Sequence, residues 1–118
     1  MNWIESPTMR RLEQYLDLVA FRQELISSNL ANIDTPGYRT QDVDFASEMR
    51  RAELDLEGSP VPPRVIEVKG LIERPDGNNV SLDRETLALA RVQLQYRAGV
   101  ELLRNEFHTL QAAINEGK

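Results

Sequence analysis

From Met9 onward apolar residues recur at steps of three and four: Met9, Leu12, Leu16, Val19, then Ile26, Leu30 and Ile33, with polar Gln23 in the missing place. Such a heptad seam predicts an amphipathic helix built to pack along another helix. Leu18, Phe21 and Leu25 form a second, shorter stripe beside it. Two adjacent stripes point either to more than one packing partner or to one broad core-facing surface. Gln23 either selects a register or turns out to water. Ser6 supplies an N-cap oxygen, and Pro7 sits at the first helical position, where its missing N–H costs nothing.

The helical pattern stops at a dense run of turn residues, Asn32, Asp34, Thr35, Pro36 and Gly37. Pro36 cannot continue a helix and pushes Thr35 towards extended backbone. Pro36-Gly37 suits positions i+1 and i+2 of a type II turn, where a positive φ favours glycine. Behind the turn, Tyr38 and Arg39 offer one ring and one charge to a neighbouring surface. Asp44 is placed to cap a short helix with Glu48 early in it and Gly58 at its end. Phe45, Met49 and either Ala52 or Leu56 give that helix an apolar edge. Ser59-Pro60-Val61-Pro62-Pro63 is a stiff, helix-incompatible linker. Val65-Ile66-Glu67-Val68 is β-branched and Pro75-Asp76-Gly77-Asn78-Asn79 has strong turn chemistry. This middle segment is therefore either a small β-hairpin or a flexible excursion.

The last stretch carries the clearest helical signal. Ser81 is an N-cap candidate, and Asp83 and Glu85 place negative charge in the first turn, where the helix dipole favours it. Apolar positions follow at Leu89, Val92, Tyr96, Val100, Leu103, Phe107, Leu110 and Ile114, with an extra residue between Tyr96 and Val100 that reads as a stutter. Leu87, Leu94 and Leu102 lie on a neighbouring face. Gly99 either admits a close helix neighbour or is a tolerated weak point. From Ser81 to Asn115 the helix would run about 50 Å, too long for a compact domain of this size.

The expected fold class is mainly α. Long N- and C-terminal helices pair as an antiparallel coiled coil around a short loop-rich middle, with Leu16, Val19 and Ile26 facing Tyr96, Leu103 and Phe107. Residues 1–33 form the N-terminal helix, 34–80 the turn, short helix and Pro-rich excursion, and 81–118 the C-terminal helix. Together they make one domain.

Composition narrows the function. The 118-residue chain has a net charge of −5 and no compensating basic face, which argues against duplex nucleic acid as a partner. There is no cysteine, so disulfide and thiolate chemistry are excluded. No apolar run approaches the roughly 20 residues that span a bilayer, so stable membrane insertion is not expected. The N-terminus lacks a basic region followed by an apolar one, so a cleaved secretory signal is not expected either. His108 is the single histidine and has no second histidine or cysteine to share a metal. The glycines show no phosphate-cradle spacing. Neither a catalytic constellation nor a cofactor is expected, and the chain does not read as an enzyme.

Two stretches resemble a known family. Asn29-Leu30-Ala31-Asn32-Ile33-Asp34-Thr35-Pro36-Gly37-Tyr38-Arg39 is similar to the signature near the N-terminus of bacterial flagellar axial proteins. Asn78-Asn79-Val80-Ser81-Leu82-Asp83-Arg84-Glu85, leading into a long helix that carries Tyr96, resembles the C-terminal signature of rod-type subunits. The short middle segment fits the proximal rod best. The resemblance covers roughly residues 9–56 and 78–116. It implies a structural rod subunit that assembles by helix packing between copies, with other rod subunits, rod-adaptor components at the rotor ring and the type III export gate as partners. It also implies an oligomeric state in the rod and export to the periplasmic basal body without cleavage. Phe45 and Met49 fit the loose spacing of an export-gate recognition site in this family. A small helical adaptor or chaperone binding one partner helix is the alternative. An adaptor should show one groove, a rod subunit apolar stripes on several faces.

Overall fold

The computed structural model describes residues 6–54 and 61–116. Their order is α1 (Pro7–Ala31), β1 (Gln41–Val43), α2 (Phe45–Leu54), β2 (Val65–Glu67) and α3 (Leu82–Glu116). Ser6 caps α1 as its sequence asks, its Oγ accepting from the Met9 N–H at 3.0 Å with Pro7 next in line. Asp44 caps α2, its carboxylate accepting from the Ser47 N–H at 3.2 Å. The expected helix stop at Gly58, the edge residue Leu56 and the first two linker residues lie outside the described residues.

α1 and α3 pack antiparallel. Ser6 Oγ donates to Glu106 Oε1 at 3.3 Å near one end, and Asn29 Nδ2 donates to Glu85 Oε1 at 2.6 Å at the other. The molecule is long, 68 × 27 × 19 Å, with a radius of gyration of 18.2 Å. A compact chain of this length would have about 13–14 Å. The two stripes of α1 do meet different partners. Val19 and Ile26 bury against Val92 of α3, with Leu30, Ala88 and Leu89 packed around them. Leu18 and Leu25 bury against Val43 of β1, with Phe21, Phe45 and Met49 alongside. Phe45 belongs to both groups and meets Tyr15 edge-on, ring centroids 5.5 Å apart. Each such buried aliphatic side chain contributes about 1.5–3 kcal/mol, so α1 is held from two sides.

The seam differs from the sequence expectation in three places. Tyr96 and Phe107 are exposed rather than turned to α1, and only Leu103 of that trio is half-buried. The inward line of α3 is instead Glu85, Leu89, Val92, Gln95, Gly99, Leu103, Glu106 and Leu110, which keeps steps of three and four through Gly99 where the apolar pattern alone jumped to Val100. A Cβ on Gly99 would stand 2.7 Å from Leu16 Cδ2 and 3.2 Å from the Tyr15 ring, so this glycine lets α1 side chains approach α3 closely. On α1, Gln23 faces water. The neighbouring Arg22 turns inward, pairs with both oxygens of Asp42 at 3.0 Å and lies over the Phe45 ring.

The β-branched run forms a strand, but its partner is distant. β2 pairs antiparallel with β1, with Gln41 opposite Glu67 and Val43 opposite Val65. Glu48 of α2 anchors this excursion from below. Its carboxylate is buried and accepts from the Arg64 N–H at 2.7 Å and from Arg51 Nη2 at 2.6 Å.

Candidate functional site

The end of α1 closes on its own side chain. The Asn32 N–H bonds back to the Ser28 and Asn29 carbonyls, and its Nδ2 donates to the Ser28 carbonyl at 2.8 Å. Thr35 then accepts from the Tyr38 N–H at 3.2 Å across Pro36-Gly37, with Gly37 at φ +76°. That is the positive φ a type II turn requires at its third residue.

The turn does not stand alone, because the segment before α3 is bonded into it. Asn78 is fully buried. Its Nδ2 donates to the Asn32 carbonyl at 2.9 Å and the Thr35 carbonyl at 2.8 Å, while its Oδ1 accepts from the Val80 N–H at 2.8 Å. Asn79 Oδ1 accepts from the Thr40 N–H at 2.7 Å and the Thr40 hydroxyl at 2.9 Å. Arg74 donates to the Val80 carbonyl at 2.9 Å and to the Ile33 carbonyl. The Gly37 N–H donates to the Asp76 carbonyl at 2.9 Å. Gly77, at φ +88°, lies so close that an added Cβ would be 3.4 Å from Gly37 Cα.

Asn29 is the centre of this clasp. It has no exposed surface and every bonding position on its amide is used. Nδ2 donates to the Gln41 carbonyl at 2.9 Å and to Glu85, while Oδ1 accepts from the Gln41 N–H at 3.0 Å and the Tyr38 hydroxyl at 3.1 Å. Glu85 is equally enclosed and also accepts from Arg84 Nη1 at 2.6 Å. Arg84 in turn reaches Asp42 at 3.5 Å. Burial pushes the Asp42 carboxyl up, but the Arg22 guanidinium and the Val43 N–H outweigh it and hold the group below the usual carboxylate range. Buried polar groups are tolerated only when satisfied, and a satisfied network fixes one arrangement of the chain.

The two signature stretches therefore meet in space. Asn29, Asn79, Val80 and Glu85 are buried in the clasp, Asn32 is half-buried in it, and Leu30 packs on the α1–α3 core. Ala31, Asp34, Thr35, Pro36 and Gly37 line its exposed surface. Tyr38 is occupied within the chain, whereas Arg39 is exposed and ion-paired there. The Tyr38 hydroxyl bonds Asn29, and Arg39 pairs with Glu67 at 2.6 Å and Glu73 at 3.3 Å. Tyr96 lies apart from the clasp on the outer face of α3, and Phe45 and Met49 are half-buried under α2. Thr40 and Arg74 belong to the clasp, although nothing in periodicity or turn chemistry singles them out. Among the described residues no group of three His, Asp or Glu side chains stands where it could hold a metal, and no helix is long and apolar enough to cross a membrane.

The comparisons with known proteins fall on the same residues. A family model described as flagella basal body rod protein matches residues 19–39, the second half of α1 and the turn up to Arg39. The chain is 30% identical over 125 residues to the flagellar basal body rod protein FlgB of Bacillus subtilis (strain 168), covering 96% of this chain and 97% of the relative. It is 32% identical to the protein of the same name from Salmonella typhimurium, over 92% of this chain and 94% of the relative. With the Borreliella burgdorferi protein it shares 29% over 86% and 90%. Identity at this level, running the length of both chains and through both halves of the clasp, means that the chain belongs to the FlgB family of flagellar basal body rod proteins.

Proposed function

We propose that the chain is a structural subunit of the proximal flagellar rod, in which its helices pack between copies to build a tube that transmits torque and leaves an export channel. The observation that carries this reading is a division of labour along α3. One face is fixed against α1 by the clasp and the seam, while Leu87, Leu94 and Leu102, with Tyr96 and Phe107, remain exposed on other faces. A row of large apolar side chains left exposed along a helix is the kind of surface that receives a partner. Its spread over several faces favours a packed subunit over an adaptor with one groove.

In this reading the stretches 1–33, 34–80 and 81–118 act as one domain, and the signature residues of the clasp set the angle at which the excursion leaves the helix pair. Other rod subunits, rod-adaptor components at the rotor ring and the export gate are the partners. The chain reaches the periplasmic rod by type III export without a cleaved signal. Phe45 and Met49 are half-buried once α2 has packed, so recognition of either by the export gate takes place on the unfolded chain. Deleting the gene tests the reading. Envelopes from the deletion strain should carry rotor rings without rods, and the intact gene should restore them. Complete flagella in the deletion strain would overturn the proposal, and a Phe45→Ala chain that is secreted normally would remove the export assignment alone.

A further inference from the structure

Over their middle stretches the two helices carry opposite charge on their exposed faces. Between Leu12 and Ala31 the exposed charges of α1 are Glu13, Asp17 and Glu24, all acids, and none is in an ion pair among the described residues. From Leu87 to Val100 of α3 the charges are Arg91 and Arg97, both exposed and likewise without an ion pair among those residues. Leu87 and Leu94, exposed by 63% and 66%, lie on the same stripe as Arg84 and Arg91. At the head of this stripe a cavity of about 100 Å³ opens between α1, β1 and α3, lined by Arg22, Asp42, Arg84, Leu87, Arg91 and Val92. Its three guanidiniums outnumber the Asp42 and Glu85 carboxylates beside them. This is a basic, leucine-floored spot on a chain whose net charge is −5.

We infer that this stripe receives the acidic face of α1 from a second copy of the chain, with Glu24 against Arg84, Asp17 against Arg91 and the small Ala20 over Leu87. The spacing supports it. Asp17 and Glu24 are seven residues apart and so are Arg84 and Arg91, in each case about 10.5 Å along a helix. The match holds with the helices antiparallel, as α1 and α3 already are within one chain, so the two copies point the same way. The contact joins two different patches, so it is heterologous and repeats from copy to copy as a ring or a helix instead of closing as a dimer. The inference rests on the rod-subunit reading and adds the identity of one neighbour and the faces that meet.

The cysteine-free chain makes the test clean. Ala20→Cys and Leu87→Cys, both at exposed positions, are introduced together and singly, and basal bodies isolated from cells carrying each are treated with a short bismaleimide. The double variant should give a ladder of dimers and higher multiples, and each single variant only monomer. Monomer alone from the double variant in intact basal bodies, a dimer from Leu87→Cys alone, or cross-links only to other proteins would each overturn the inference while leaving the rod reading intact. A chain missing from the basal bodies would count against the rod reading itself. Arg91→Glu in the double-cysteine chain should lower the cross-link yield roughly two- to fivefold, as loss of an exposed ion pair does. Adding Asp17→Arg should restore it, which a merely structural role of Arg91 would not allow.

Discussion

Asn29 and Glu85 stand 56 positions apart in the chain, yet the amide of one donates to the carboxylate of the other at 2.6 Å with both side chains fully enclosed. This contact joins the last turn of α1 to the first turn of α3 and sets the register of the whole helix pair. Asn29→Ala leaves a buried carboxylate and two Gln41 backbone groups short of partners and should cost about 3 kcal/mol in denaturant unfolding. Asn29→Asp places a second carboxylate against Glu85. It should be destabilising at neutral pH by at least as much, with part of the loss recovered as the medium is acidified. Equal stability of Asn29→Asp and wild type at pH 7 would contradict the role given to this pair.

At Gly99 the two helices leave room for little more than a hydrogen. Gly99→Ala gains up to about 1 kcal/mol of helix propensity and asks the end of the Leu16 side chain to move and the Tyr15 ring to give slightly, so its stability should stay within about 1 kcal/mol of wild type. Gly99→Leu drives a branched side chain into Leu16 and the Tyr15 ring and should lose about 2 kcal/mol or more. Thermal melts of the two variants decide it.

Acid should loosen the excursion. Asp42 and Glu48 both titrate below the usual carboxylate range, because ion pairs and backbone N–H donors outweigh the effect of burial. A carboxyl with a depressed folded pKa adds stability that is complete above its unfolded value and is lost as pH falls through the folded one. Stability should therefore be level near neutrality and decline as pH drops from about 5 to about 2. Asp42→Asn and Glu48→Gln should each flatten that decline in urea titrations run across the range.

At Gly37 the strain is confined to the backbone, since nothing lies within 4 Å of where a Cβ would stand. Gly37→Val should cost about 1–2 kcal/mol for the positive φ, and impair incorporation into the rod more than it lowers subunit stability. A melting point far below wild type with normal incorporation would reverse that order.

Past Glu106, which Ser6 reaches, every residue of α3 up to Glu116 is exposed except half-buried Leu110. Helix without packing is marginal in water. Amide exchange on the dilute chain should show this last stretch far less protected than Leu89 to Leu103, and incorporation into the rod should raise its protection.

Much of the fold was legible because periodicity and caps act locally. Ser6, Asp44 and the turn at Pro36-Gly37 behave as their chemistry demands, and α3 begins within one residue of the expected start. The register was not legible, because the seam of α3 is built partly from Glu85, Gly99 and Glu106, which an apolar pattern cannot see. The same limit hid the clasp. Asn78 and Asn79 read as loop residues until their distant partners Asn32, Thr35 and Thr40 are in place. Tyr96, which looks like core from its spacing, is exposed, and the polar Gln95 beside it takes the half-buried place between Val92 and Gly99.

The central claim is that this chain is a built-in part of the flagellar rod. Its most direct test is the composition of basal bodies stripped of the outer filament and hook from the cells that make it. Quantitative mass spectrometry should find the chain at a fixed ratio to the rotor-ring subunit, retained through high-salt washing and lost only when the rod itself is dissolved. Complete basal bodies that lack the chain, or a chain released by the first wash, would contradict the account.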